Sequence, residues 1–128
     1  MSKIVIQSAG APAAIGPYSQ GVRVGELLFC SGQIPLDPAT GEVVGADIAA
    51  QTVQVMKNIQ AVLAEAGLDF RHVVKTTIYL TDLNDFGTVN EIYGRSFPES
   101  PPARATVGVA ALPKGVAVEI EWIAHYGA

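Results

Sequence analysis

Charge and cysteine are what this sequence has least of. Only 16% of its 128 residues are Asp, Glu, Lys or Arg, against about a quarter in an average soluble domain, and mean hydropathy is +0.32. A small domain so poor in charge is expected to hide apolar surface against another copy of itself. The net charge is −4 and no run of Lys or Arg occurs, so the charge pattern favours neither nucleic acid nor an anionic membrane. Cys30 is the lone cysteine. An intramolecular disulfide is therefore excluded, and a reducing, cytoplasmic setting is expected. Cys30 ends the apolar run Leu27–Cys30, which predicts a buried, inert thiol rather than a nucleophile. No stretch approaches the ~20 apolar residues of a membrane span, and MSKIVIQSAG lacks the basic-then-apolar design of a signal peptide. His72 and His125 have no ligand spacing, Gly41 and Gly45 form no phosphate loop, and no Ser–His–Asp pattern stands out. No metal site is expected.

What is present reads as one domain over residues 1–128. Lys3–Gln7 is a short strand signal, and Gly21–Val24 and Leu27–Ser31 flank a Gly25-Glu26 turn as a hairpin. Gly32–Gly45 carries turn signals at Asp37-Pro38 and Thr40-Gly41. Asp47 is placed as the N-cap of a helix whose Ile48, Thr52, Val55, Ile59, Val62 and Ala66 form one stripe, with Gly67 ending it. His72–Leu80 alternates as a strand, with Val74, Thr76, Ile78 and Leu80 on one face and Val73, Lys75, Thr77 and Tyr79 on the other. Asp82 or Asn84 is expected to cap a second helix to about Ser96, with Phe86, Val89, Ile92 and Tyr93 inward. Strands Ala103–Val109 and Val116–His125 close the chain. Roughly six strands and two helices predict a two-layer α+β domain, its helices on one sheet face. The other face must meet water or another subunit.

Arg104 is the only charge between Pro101 and Leu112. A guanidinium cannot lose its proton, so in so apolar a segment it needs an anion or a set of carbonyls. Glu119 and Glu121 follow in the next strand. Together they fit either a pocket for a small anionic molecule or a buried structural ion pair. If Val118, Ile120 and Trp122, with Ala105, Val107 and Val109, face the helices, then Arg104, Thr106, Glu119 and Glu121 share the opposite face. That face is then expected at a subunit interface.

Several segments, in order, resemble one family. They are Ala13-Ala14-Ile15-Gly16-Pro17-Tyr18-Ser19-Gln20, then Ser31-Gly32-Gln33-Ile34-Pro35 with Thr40-Gly41-Glu42, then Lys75-Thr76-Thr77 and Asp82-Leu83-Asn84-Asp85-Phe86. Pro102-Ala103-Arg104-Ala105-Thr106-Val107-Gly108-Val109, Leu112-Pro113 and Val118-Glu119-Ile120-Glu121 complete the set. They are similar, nearly end to end, to the signatures of the RidA (YjgF-like) reactive-intermediate deaminases. The resemblance implies a chorismate-mutase-like α+β fold assembled as a homotrimer, with a ligand cleft at each subunit interface. It implies hydrolytic deamination of 2-imino and 2-enamino acids, such as 2-aminoacrylate and 2-iminobutanoate, to 2-oxo acids and ammonia, without a cofactor. It also implies that Arg104 binds the substrate carboxylate and that Glu119 stands near the reacting nitrogen or water. Tyr18, Ser31, Gly32 and Asn90 then line the cleft, with Thr106 beside them.

Two features depart from the family pattern. Thr106 stands where cysteine is frequent, so thiol chemistry there is not essential to any activity of this chain. The loop between Tyr93 and Pro101 is a few residues shorter than in many members, which bears on the cleft's rim. The same residues leave two other functions open: a non-catalytic sensor that binds 2-oxo acids, and the chaperone or translation-inhibitor activities ascribed to relatives. Singly, the site residues also have plain structural explanations. Tyr18 fits a core plug, Ser31-Gly32 a turn, Asn90 a solvent-facing helix position, and one of Glu119 and Glu121 a partner for Arg104.

Overall fold

In a computed structural model, residues 2–127 are described. Strands β1 (Ile4–Ile6), β2 (Gly21–Val24), β3 (Leu27–Gln33), β4 (Val73–Leu80), β5 (Ala103–Gly108) and β6 (Val118–His125) form one sheet. Their order is β1-β2-β3-β6-β4-β5. Neighbours are antiparallel except β4 and β5. That parallel pair needs a crossover, and helix α2 (Phe86–Gly94) lies within it. Helix α1 (Ile48–Glu65) is the other helix of the layer, so the two-layer α+β expectation is met.

Local chemistry sets the helix ends. Asp47 Oδ1 accepts from the Ala50 amide at 2.7 Å at the start of α1, and Gly67, with φ 79°, follows its end. Thr52, Val55, Ile59 and Val62 are buried, in a layer with Leu28, Ile78, Ile120 and Trp122 of the sheet. Asp82 caps a single 3-10 turn, Leu83–Asp85, which leads into α2. The helix stops at Gly94 rather than Ser96. Tyr93 fastens it down, its hydroxyl 2.7 Å from Thr76 Oγ1. Phe86, expected inward, is 37% exposed at the helix start.

Two expectations about faces are corrected. β4 has an extra residue against β6 between Val73 and Lys75. This bulge buries Val73 and leaves Val74 40% exposed, the reverse of simple alternation. The second correction concerns the charges. β4 lies between β5 and β6, and residues paired across strands share a face. Thr76 pairs with both Arg104 and Trp122, and Ile78 with both Thr106 and Ile120. Arg104 and Thr106 therefore sit on the helix face. Glu119 pairs with Tyr79, and Glu121 with Thr77, so the carboxylates sit on the bare face with Ala105 and Val107. β5 is an edge strand beside a helix of nine residues. On the helix side of that edge Arg104 is exposed, while the hydroxyl oxygen of Thr106 is buried. Across the bare face, Val22, Phe29 and Ile123 align with one another, and Tyr79 with Val107; Phe29 is 44% and Val107 40% exposed.

Candidate functional site

A cavity of about 460 Å³ opens at the end of β3. Pro12, Ala13, Ile15, Tyr18, Ile34, Leu36 and Pro113 give it apolar walls, and Ser31, Gly32, Lys114 and Glu119 are among its polar lining. Three buried amides fix the loops that build it. Gln20 accepts from the Ser8 amide at 2.6 Å and donates to the Ser8 and Pro12 carbonyls at 3.2 and 2.8 Å. Asn58 of α1 donates to the carbonyls of Ile34 and Leu36 at 3.2 and 3.0 Å. Gln51 accepts from the Ala117 amide at 2.9 Å, just past the Pro113-Lys114 turn. Sequence reasoning singled out none of these for a role. The available signal was two amides, seven residues apart, flanking the apolar stripe of α1.

Tyr18 is 51% exposed on the cavity wall and not a core plug. Ser31 donates its hydroxyl to the Ser19 carbonyl at 2.6 Å, which leaves its oxygen lone pairs to accept. Glu119 is partly buried, with its carboxylate packed against the backbone of Gly32. Burial, and then the neighbouring charge of Glu121, push its pKa above the ordinary glutamate value. Lys114 holds a left-handed backbone, φ 58°, and its Nζ donates to the Gly41 carbonyl at 3.3 Å.

The remaining predicted residues form a second group. Arg104 is exposed, which departs from the buried ion-pair alternative. Its Nη1 donates to Asn90 Oδ1 at 2.6 Å, and the guanidinium lies 5.3 Å from the ring centres of Phe86 and Tyr93. Among the described residues it forms no ion pair with a carboxylate, so the structural pairing with Glu119 or Glu121 is not made within the chain. Thr106 Oγ1, two residues along the same face, is buried without a hydrogen-bond partner. Asn90, Arg104 and Thr106 thus come together, as do Tyr18, Ser31, Gly32 and Glu119, on opposite faces of the sheet. Cys30 takes no part: burial pushes its thiol up to about 12. No group of three or more His, Cys, Asp or Glu is placed to hold a metal among the described residues, and no helix there is long and apolar enough to cross a membrane.

Known proteins resemble this chain over nearly its whole length. The family described as Endoribonuclease L-PSP matches residues 8–126. Protein DfrA of Myxococcus xanthus is 61% identical, with 97% of this chain and 96% of that protein covered. The 2-iminobutanoate/2-iminopropanoate deaminase of Mus musculus is 54% identical over 96% of this chain and 91% of its own. A crystal structure of the Rid-family protein YyfA from Yersinia pestis superposes with a TM-score of 0.94 at 52% identity, covering 97% of this chain and 99% of that one. On sequence and fold together, this chain belongs to the L-PSP (YjgF/RidA) family.

Proposed function

We propose that the protein hydrolyses reactive 2-imino and 2-enamino acids, 2-aminoacrylate and 2-iminobutanoate among them, to 2-oxo acids and ammonia. The reaction takes place where the Glu119 cavity of one copy meets the Arg104 face of the next, in a homotrimer. The observation that carries this reading is the state of Arg104. It is oriented by Asn90 and flanked by two aromatic rings, yet among the described residues no carboxylate neutralises it. A guanidinium held that way is prepared for a ligand carboxylate, which it binds through two parallel hydrogen bonds. The unpartnered Thr106 hydroxyl beside it offers a further bond to the same ligand.

Glu119 supplies the complementary chemistry. In a partly dry cavity its raised pKa makes it a better base than an exposed glutamate. It takes a proton from water as the water oxygen bonds to C2, the C=N electron pair moves to nitrogen, and the protonated Glu119 returns that proton to the nitrogen. The hydroxyl proton of the carbinolamine then passes by way of Glu119 to the amino nitrogen as the C–N bond breaks, leaving a 2-oxo acid and ammonia. An enamine enters the same course after tautomerising to the imine. The name of the mouse relative supports this reaction. The family's description points instead to RNA cleavage, but a chain of net charge −4 with 8 basic residues has little to attract a polyanion.

The test is to generate 2-iminobutanoate in place with a threonine dehydratase and follow its decay with and without the protein. Faster decay with matching ammonia release is expected. Unchanged decay with retained binding of 2-oxobutanoate would make the protein a sensor, and loss of both would end the reading.

A further inference from the structure

β3 carries one extra residue against β6 between Cys30 and Gln33, which pair with Trp122 and Ile120. Ser31 and Gly32 lie in this bulge, and such an insertion re-aims the backbone locally. Here it turns the Cα of Gly32 onto the Glu119 side chain. A Cβ at position 32 would overlap Glu119 Oε2 outright and stand 2.9 Å from Cδ and 3.0 Å from Cγ. Gly32 is not among the residues with left-handed backbone, so glycine is required there for space alone.

We infer that Gly32 is a positioning residue: the side chain it lacks is the seat of the Glu119 carboxylate. This rests on the reading of Glu119 as the base and adds what holds it in place. With any larger residue at 32, the carboxylate must swing out of its seat. The groups facing it are Tyr79 across on β4, Glu121 on its own strand, Tyr18 of the N-terminal segment and Lys114 of the 113–115 turn. Movement towards the Lys114 side puts the carboxylate in wetter, more cationic surroundings and makes it a weaker base. Movement towards Glu121 takes it away from the cavity.

Two measurements on Gly32→Ala decide the matter. Carboxyl ¹³C NMR of glutamate-labelled protein gives the Glu119 titration midpoint without reference to any reaction. The midpoint is expected to shift by about 0.5–1 pH unit between wild type and Gly32→Ala. A midpoint unmoved in Gly32→Ala overturns the inference. The second measurement is a double-mutant cycle on imine hydrolysis. Gly32→Ala should lower kcat about tenfold or more beside Glu119 and cost nothing further in a Glu119→Ala background. An equal loss in both backgrounds means that Gly32 acts through its own backbone, and the seat is wrong. If Glu119→Ala leaves turnover unchanged, the role of Glu119 as base falls while the NMR midpoint still judges the seat. Should Gly32→Ala fail to fold, recovery of the fold in Gly32→Ala/Glu119→Ala supports the seat, and no recovery overturns it.

Discussion

Arg104 and Glu119 make opposite demands on their surroundings. A guanidinium works as an anchor when it is rigid but left charged, and Asn90, Phe86 and Tyr93 hold it so. Arg104→Ala is expected to lower kcat/KM for an imino acid on the order of 10²-fold or more, with circular dichroism unchanged. Arg104→Lys should rescue only weakly, since an ammonium lacks the planar fork. A carboxylate works as a base when burial discourages its charge. Glu119→Gln should lower kcat by ~10²–10⁴-fold, with little change in affinity for a 2-oxo acid, while Glu121→Gln does much less. The stability sign follows from the raised pKa of Glu119. Such a group contributes stability below its unfolded value, about 4.3, and loses that contribution as pH rises through its folded value. Glu119→Gln should therefore raise Tm relative to wild type near neutral pH and not below about pH 4. Cys30 gives a simpler check. With its thiol pushed up to about 12, intact mass after iodoacetamide at neutral pH should show no adduct, and unfolding in urea should restore labelling.

At the scale of elements, local signals could be read in the sequence and non-local ones could not. The α1 stripe, the Asp47 cap and the Gly25 turn follow from residues within a few positions of one another. The bulges at Val73–Lys75 and Ser31–Gly32 depend on what the partner strand does, and so did the placing of β4 between β5 and β6. Without that strand order, alternation alone put Arg104 and Glu119 on one face, whereas they lie on two. Arg104 and Glu119 stood out as charges in apolar segments, whereas Tyr18, Ser31, Gly32 and Asn90 came from the family resemblance. The buried amides belong to the same non-local class, because their partners lie up to 66 residues away. Asn58 is the sharpest case, fully buried and bonded to two carbonyls of the cavity wall. Asn58→Ala strands both carbonyls and should cost about 1–3 kcal/mol, seen as a lower Tm. Faster amide hydrogen exchange should accompany it around Ile34–Leu36.

For the whole molecule, the two groups of site residues and the bare sheet face lead to one arrangement. Val22, Phe29, Ile123 and Val107 are apolar, and Phe29 and Val107 are left exposed; both helices cover the other face. A homotrimer built on the bare face should sediment at micromolar concentration with about three times the 13.4 kDa chain mass. Mass alone does not say whether neighbouring copies share a site, but mixing does. Arg104→Ala subunits keep Glu119, and Glu119→Gln subunits keep Arg104, and each is expected to be nearly inactive alone. If every site takes Arg104 from one copy and Glu119 from the next around a closed ring, random mixing at equal amounts rebuilds one intact site in four. Co-refolded mixtures should then regain about a quarter of wild-type activity. If both residues serve a site within the same copy, no intact site forms and mixing restores nothing. Recovery near a quarter, with circular dichroism of both parents unchanged, is the result that a site divided between copies requires.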